Sequence, residues 1–229
     1  MGNMNTFLVF DCYQTLLYKK NLEKIVREFI AKKLGAHVPL PQVKSAFDLI
    51  YYRHKFAHPR FSSPQDRKKF FITYNRELLR IMGFDISDTL AADLNTRLNR
   101  AVYAPYPDTV RALKYFKTKK KIPLGLLANW TASLETVLKN LHMDKYFDSI
   151  MSSHNLKIEK PDPEFFTRAL IIIKKKYKKI YYVGDDYELD ILPARAAGLI
   201  PILIDRKNKY PAQIDCIKIR SLVELSRII

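Results

Sequence analysis

The residues of this chain best suited to chemistry are Asp11, Asp185 and Asp190, together with Asn129 and Lys160. Asp11 follows a short apolar run, TFLVF (6–10), and Asn129 ends another, IPLGLLAN (122–129). Asp185 and Asp186 end a third, IYYVGDD (180–186), and Asp190 comes one helical turn later. Lys160 lies in the loop IEKPDPEFF, ahead of a helix that Asp162 is placed to cap. Carboxylates brought to one point repel one another unless a cation intervenes. An oxygen-only set of this kind suits Mg²⁺, which also binds phosphate oxygens. A carboxylate nucleophile, a hard metal, an amide and a lysine together fit phosphoryl transfer, where positioning and charge neutralisation supply most of the catalysis.

These side chains converge only if the runs that carry them lie side by side. Short apolar runs ending at a polar residue read as buried strands, and IPILID (200–205) is a fourth. Helical stripes separate them: Leu134, Val137, Leu138 and Leu141 form one, and Phe165, Phe166, Ala169, Leu170 and Ile173 another. Strand and helix in alternation predict an α/β fold, a parallel sheet wound on both faces. Ligands of such a sheet collect at the carboxyl ends of its strands, where Asp11, Asn129 and Asp185 fall.

From Leu17 to about Ala101 the strand signal vanishes. Leu22, Ile25, Val26, Phe29 and Ile30 recur at helical spacing up to Gly35, and Val43, Phe47, Ile50 and Tyr51 mark a second helix. Ser63-Pro64 reads as an N-cap with proline in the first turn of a helix bearing Phe70, Phe71, Tyr74, Leu78 and Leu79 and closing at Gly83. Ser87 is placed to cap a fourth helix through Leu90, Leu94 and Leu98. Pro105 and Pro107 then return the chain to the sheet. A helical block is thus inserted just after the first strand.

The 229 residues, 48% hydrophobic and 12% aromatic, suffice for one large domain or a core with an appendage, and exclude disorder as the main state. No uncharged apolar run approaches the ~20 residues of a membrane span, and Asp11 directly after Phe10 argues against a signal peptide. Two cysteines, Cys12 and Cys216, point to a reducing, cytoplasmic setting rather than a disulfide scaffold. Cys12 reads as a small buried residue. The formal charge of +17 favours anionic partners. Lys119–Lys121, and Lys174–Lys176 with Lys178-Lys179, read as solvated helix C-termini that complement the helix dipole. A surface for nucleic acid would interleave aromatics for base stacking, and only Tyr177 and Phe116 lie near. The expected partner is a small phosphorylated anion, not a membrane or a nucleic acid.

FDCYQTLL, LLANW, EKPDPEFF and VGDDYELDILPARAAG, in this order, resemble the four motifs of the haloacid dehalogenase superfamily of hydrolases. The stretch FDSIMSSHNLKIEKPDPEFFTRAL is similar to its phosphatase-like subfamily IA. The resemblance implies a Rossmann-like core, residues 1–16 and 102–229, and a C1-type helical cap, residues 17–101. It implies that Asp11 is the nucleophile, that Thr15 steadies its loop, and that Asn129 holds the transferring group. Lys160 would neutralise nucleophile and phosphate. Mg²⁺ would be held by Asp11, Asp185 and the Tyr13 carbonyl, with Asp190 ordering its water shell. Asp186 is either a further functional acid or the cap of the next helix.

Two positions depart from the phosphatase pattern. Such enzymes usually carry Asp two residues after the nucleophile as general acid and base, where this chain has Tyr13; they usually carry Ser or Thr before the motif asparagine, where it has Ala128. General acid–base help contributes ~10²–10⁴-fold, and a phenol of pKa about 10 gives a proton but seldom accepts one at neutral pH. The 2-haloacid dehalogenases carry tyrosine at this position, and halide departs without needing a proton. They are metal-free and bind their substrate carboxylate with a cap arginine, for which Arg53 is a candidate by helix position. His54 and His58 are candidates for the cap face. The sequence therefore predicts a Mg²⁺-dependent phosphatase, with a metal-free dehalogenase or a catalytically weakened phospho-ligand binder as alternatives.

Overall fold

Strand β1 (Thr6–Phe10) is buried at every position because it runs through the middle of a six-stranded parallel sheet. It pairs with β4 (Leu124–Ala128) on one side and β6 (Lys179–Gly184) on the other. Outside β4 lies β5 (Ser149–Ser152); outside β6 lie β7 (Ile200–Ile204) and β8 (Ile217–Ile219). The structure is a computed structural model and describes residues 5–55, 63–173 and 177–229; His58 and Lys174–Lys176 lie outside them.

The pleat sends alternate side chains into two cores. Leu8, Phe10, Leu124, Leu126, Val183 and Ile202 pack on one face with Leu134 and Leu138 of α6 (Leu134–Asn140). Phe7, Val9, Leu127, Ile180 and Tyr182 pack on the other with Phe165, Phe166, Ala169, Leu170 and Ile173 of α8 (Pro163–Ile173). Both helical stripes therefore face the sheet as their periodicity requires. The four strong apolar runs occupy the interior of the sheet. The two strands that the apolar pattern does not announce, SIMS and IKI, are its edges, where one side of the ladder is unpaired and polar residues are tolerated.

By its contacts the chain divides into two compact units, one comprising the chain up to Tyr18 with Tyr103–Ile229, the other Lys19–Val102. A two-stranded ribbon, β2 (Leu17–Lys19) with β3 (Tyr103–Pro105), carries the chain out and back. This corrects the expectation that strand character ends before Leu17. Three residues with a single apolar partner in sequence are too few to register as a period.

The second unit holds α1 (Leu22–Leu34), α2 (Leu40–His54), α3 (Pro64–Ile81) and α4 (Asp88–Asn99). Its core joins Val26, Phe29 and Ile30 to Val43, Ala46, Ile50, Leu78, Leu79, Ala91 and Leu94. Ser63 Oγ accepts from Asp66 N–H and Ser87 Oγ from Leu90 N–H, so both serines cap their helices. Gly35 and Gly83 follow α1 and α3 at φ +65° and +90°, a conformation that glycine adopts without strain. Phe70, Phe71 and Tyr74 remain half-buried, whereas Leu78 and Leu79 enter the core. Among the described residues no helix is long and apolar enough to cross a membrane.

Candidate active site

Asp11 stands one residue beyond β1, and its N–H still donates to Val183 O at 2.8 Å, which fixes the strand end against β6. The chain then turns tightly: Leu16 and Leu17 N–H both donate to Cys12 O, and Gln14 takes a left-handed φ of +67°. Cys12 is fully buried, and burial beside Asp11 pushes its thiol well above the ordinary range, so it packs rather than reacts. Thr15 Oγ1 donates to Asp185 Oδ1 at 3.4 Å, joining the first and last motifs.

Lys160 is the hub. Its ammonium, 5% exposed, donates to Asp11 Oδ1 at 2.6 Å and to Asp190 Oδ1 at 2.7 Å. A lysine this deeply buried stays charged because two carboxylates hold it, and they raise its pKa well above the usual value despite desolvation. Its backbone is gripped from β4: Asn129 Oδ1 accepts from Lys160 N–H at 2.8 Å, and Asn129 Nδ2 donates to Lys160 O at 3.0 Å. Asn129 thus spends its side chain on the peptide of Lys160, a role not expected from the sequence.

Asp185 lies just past β6, and the wide helical turn Tyr187–Ile191 swings Asp190 back beneath it. Asp190 Oδ2 accepts from Asp186 N–H at 3.1 Å. Asp186 resolves as a cap, its Oδ1 accepting from Glu188 and Leu189 N–H at 3.0 and 2.9 Å. Gly184 has no side chain for a specific reason. A Cβ there would stand 2.6 Å from Asp190 Oδ2, so any larger residue would displace that carboxylate.

Asp11, Asp185 and Asp190 present oxygens that all lie within 4.8 Å of one another. With all three ionised, the carboxylates would exceed the one ammonium by two negative charges. The strain shows in their acidity. Burial, opposed by Lys160 and reinforced by Asp190, raises Asp11 to about 6. Desolvation first, then Asp190 and Asp11, push Asp185 well above the carboxylate range. An all-oxygen cluster with a deficit of two charges fits a hard divalent cation.

Two supporting residues escape sequence reasoning. Tyr182, fully buried in β6, places its hydroxyl 3.3 Å from Lys160 Nζ, 3.0 Å from Asp190 Oδ1 and 3.2 Å from Leu127 O. A tyrosine inside an apolar strand was the available signal, since a buried hydroxyl must find partners. Arg206, after β7, donates to Thr15 O at 2.9 Å and to Asp108 Oδ2 at 3.0 Å, and lies 4.0 Å over the Tyr106 ring. It braces the nucleophile loop, and nothing local in the sequence marks it.

Other expectations resolve differently. Arg53 and His54 both bond Glu77, at 2.8 and 2.7 Å, within the helical unit, so Arg53 is already paired. Lys179 opens β6 rather than ending a helix, and Lys120 donates to Ile229 O at 2.9 Å. Phe116 lies in the core and so is not available for base stacking. Tyr13 is half-buried, its ring 6.3 Å from that of Tyr103.

Comparison with known proteins bears on this geometry. The family model for haloacid dehalogenase-like hydrolases matches residues 7–198. Haloacid dehalogenase-like hydrolase domain-containing protein 3 of Danio rerio is 25% identical over 220 residues, covering 91% of this chain and 88% of its own. Glyceraldehyde 3-phosphate phosphatase of Methanocaldococcus jannaschii is 32% identical over 111 residues, 48% of each chain. The magnesium-bound HAD hydrolase YfnB of Bacillus subtilis superposes with a TM-score of 0.73 at 18% identity, over 98% of this chain and 97% of its own.

Proposed function

The chain belongs to the haloacid dehalogenase-like hydrolases, and from that premise we propose that it is a Mg²⁺-dependent phosphomonoesterase acting through an aspartyl-phosphate on Asp11. One observation carries the reading: the buried Lys160 ammonium bridges Asp11 and Asp190 beside Asp185, leaving a cluster two charges short of neutrality. The similarity to glyceraldehyde 3-phosphate phosphatases supports a small phosphorylated substrate. The compact unit Lys19–Val102 would serve as the cap of the family.

In this reading Asp11, Asp185 and the Tyr13 carbonyl would hold Mg²⁺, with Asp190 ordering its water shell, and the ion when bound would neutralise phosphoryl oxygens. Asp11 attacks phosphorus with its carboxylate, the bond to the ester oxygen breaks, and the electron pair leaves with that oxygen. Lys160 fixes the attacking carboxylate through Oδ1 and offsets the charge of the phosphoryl group. Asn129 holds Lys160 by its peptide, and Thr15 ties the nucleophile loop to Asp185. Water then hydrolyses the aspartyl-phosphate, releasing phosphate and regenerating Asp11. Tyr13 supplies no carboxylate for either proton transfer, and Ala128 no hydroxyl to the phosphoryl oxygen.

Tyr13 also favours a second reading, halide displacement from a 2-haloacid, which needs no acid. Arg53, the candidate to receive the substrate carboxylate, pairs with Glu77 at 2.8 Å, which weighs against this reading. Phosphate release from a panel of monoesters, with and without Mg²⁺ and with halide release from 2-haloacids measured alongside, tests both. The expected result is Mg²⁺-dependent phosphate release that Asp11→Asn abolishes. Halide release indifferent to Mg²⁺ would establish the second reading. Phosphate-analogue binding without turnover would identify a weakened, ligand-binding member of the family.

A further inference from the structure

Gln14 stands three residues after Asp11 at a φ of +67°, a left-handed conformation that is strained for a residue with a Cβ and free for glycine. The side chain held there is only half used. Its amide oxygen accepts from Tyr106 O–H at 2.9 Å, and among the described residues its amide nitrogen has no hydrogen-bond partner. Gln14 and Tyr106 line a pocket beside Asp185, together with Arg206, Lys207 and Lys209 of the loop after β7. That loop is tied down from several directions. Asp205 accepts from Lys209 and Tyr210 N–H at 2.8 and 3.0 Å, so both of its oxygens are engaged by the loop's own backbone. Lys218 Nζ donates to Tyr210 O and Pro211 O at 3.1 and 2.6 Å, and Arg220 Nη2 to Asn208 Oδ1 at 2.6 Å. A backbone fixed in this way orders little further when a ligand arrives. Lys207 is exposed, and among the described residues its ammonium has no partner.

We propose that this pocket takes a second acid group of the substrate, a carboxylate or a phosphate, and that the substrates are phosphate monoesters bearing such a group on a short spacer. The proposal rests on the phosphatase reading and narrows it. Gln14 Nε2 and Lys207 Nζ are its donors. Arg206, whose charge Asp108 balances at 3.0 Å, lies 4.0 Å over the Tyr106 ring and so steadies the hydroxyl that holds Gln14. Asp185 is common to the pocket and the nucleophile. It lines the first, and its carboxylate lies within 4.8 Å of those of Asp11 and Asp190. The two places are neighbours across one side chain, a gap that a short spacer bridges.

Charge sets the working condition. Asp205 repels an anion weakly, because two N–H groups face its oxygens. An ionised Asp185 repels one more strongly, and a divalent cation held by that carboxylate would cancel the repulsion. The subsite is therefore expected to act with Mg²⁺ present. The net charge of +17 attracts any dianion without regard to place, so a lysine outside the pocket is the necessary control. Lys139 of α6 is exposed and serves as one.

Native protein in millimolar Mg²⁺ would be titrated calorimetrically with propylphosphonate, phosphonopropionate and propanediphosphonate, none of which has an ester bond to break. At least one of the two ligands with a second acid should bind about tenfold or more tightly than propylphosphonate, the scale of one charge-assisted hydrogen bond, and the tighter of them identifies the group. The preference should fall about tenfold in Lys207→Gln and in Gln14→Gly, which suits the left-handed turn, and persist in Lys139→Gln. In turnover, the ratio of kcat/KM for carboxyethyl phosphate to that for propyl phosphate should follow the same pattern if the group is a carboxylate. Both esters release alkoxides, so Tyr13 affects them alike. Equal affinity for the three ligands, or a preference that either pocket variant keeps or that Lys139→Gln loses as fully, would overturn the subsite and leave the phosphatase reading standing. Absence of phosphate release from every ester would overturn the phosphatase reading itself, and the substrate assignment with it.

Discussion

Tyr13 sets the expected rate profile of the site. In the proposed mechanism, without a carboxylate base two residues after Asp11, hydrolysis of the aspartyl-phosphate should be slow and the intermediate should accumulate. Tyr13→Asp should raise turnover on alkyl phosphates by about tenfold or more, a fraction of the ~10²–10⁴ that general acid–base catalysis supplies, and should shorten the intermediate's lifetime. Rapid-quench trapping on both proteins measures this; brisk native turnover of alkyl phosphates with no intermediate would show that another residue moves the proton. Tyr182 acts one layer deeper. Tyr182→Phe keeps the ring against Phe166, 4.9 Å away, and removes only the hydroxyl shared by Lys160 and Asp190. Its Tm should move little, while kcat falls about tenfold with KM nearly unchanged, the scale of one hydrogen bond to a charged group.

At the scale of elements, the site depends on loops tied to one another across the sheet. The Arg206–Asp108 pair fastens the loop after β7 to the start of α5 (Thr109–Lys114), and Asp108 also accepts from Ser221 Oγ and Leu222 N–H at 2.7 and 2.8 Å. Burial by itself would raise the pKa of Asp108, but the combined pull of Arg206, Ser221 and Leu222 leaves it below the ordinary aspartate value. A folded-state pKa below the unfolded value contributes stability that is present above the unfolded pKa, about 3.9, and is lost as pH falls through the folded one. Asp108→Asn should therefore destabilise by about 2 kcal/mol at neutral pH. Its deficit against the native chain should shrink below about pH 4. Thermal melts from about pH 2.5 to about pH 7 would show the two curves converging at the acid end; parallel curves would assign the loss to packing alone.

For the whole molecule, charge provides two tests. The oxygen cluster lacks two positive charges, so a divalent cation that binds only the folded chain must stabilise it by mass action. Mg²⁺ at a hundredfold excess over its dissociation constant contributes about 2.7 kcal/mol. At roughly 2–4 °C of Tm per kcal/mol that is a rise of roughly 5–11 °C, which Asp185→Ala should abolish. The net charge of +17 is the second test. Solvated lysines without stacking aromatics bind nucleic acid only through counterion release. Affinity for duplex or single strands should be weak and vanish by about 200 mM salt. Tight binding that persists there would indicate a dedicated surface.

The sequence by itself determined what depends on neighbours in the chain. The apolar runs at 6–10, 122–129, 180–186 and 200–205 could only be buried strands, and the residues that end them could only gather at one edge of a parallel sheet. Ser63 and Ser87 announced their helices because a cap is a local hydrogen bond. Four motifs in order carried the family. Tertiary structure decided what depends on register and on contacts between distant residues. β5 and β8 are short, mix apolar residues with serine or lysine, and exist because an adjacent strand offers a free ladder. Asp186 and Asp190 are interchangeable as letters; the turn between them makes one a cap and aims the other at Lys160. Asn129 meets the peptide of Lys160 across 31 residues, and Arg206 meets Thr15 across 191. No periodicity spans such distances, because these bonds form only after the sheet has set where each loop ends.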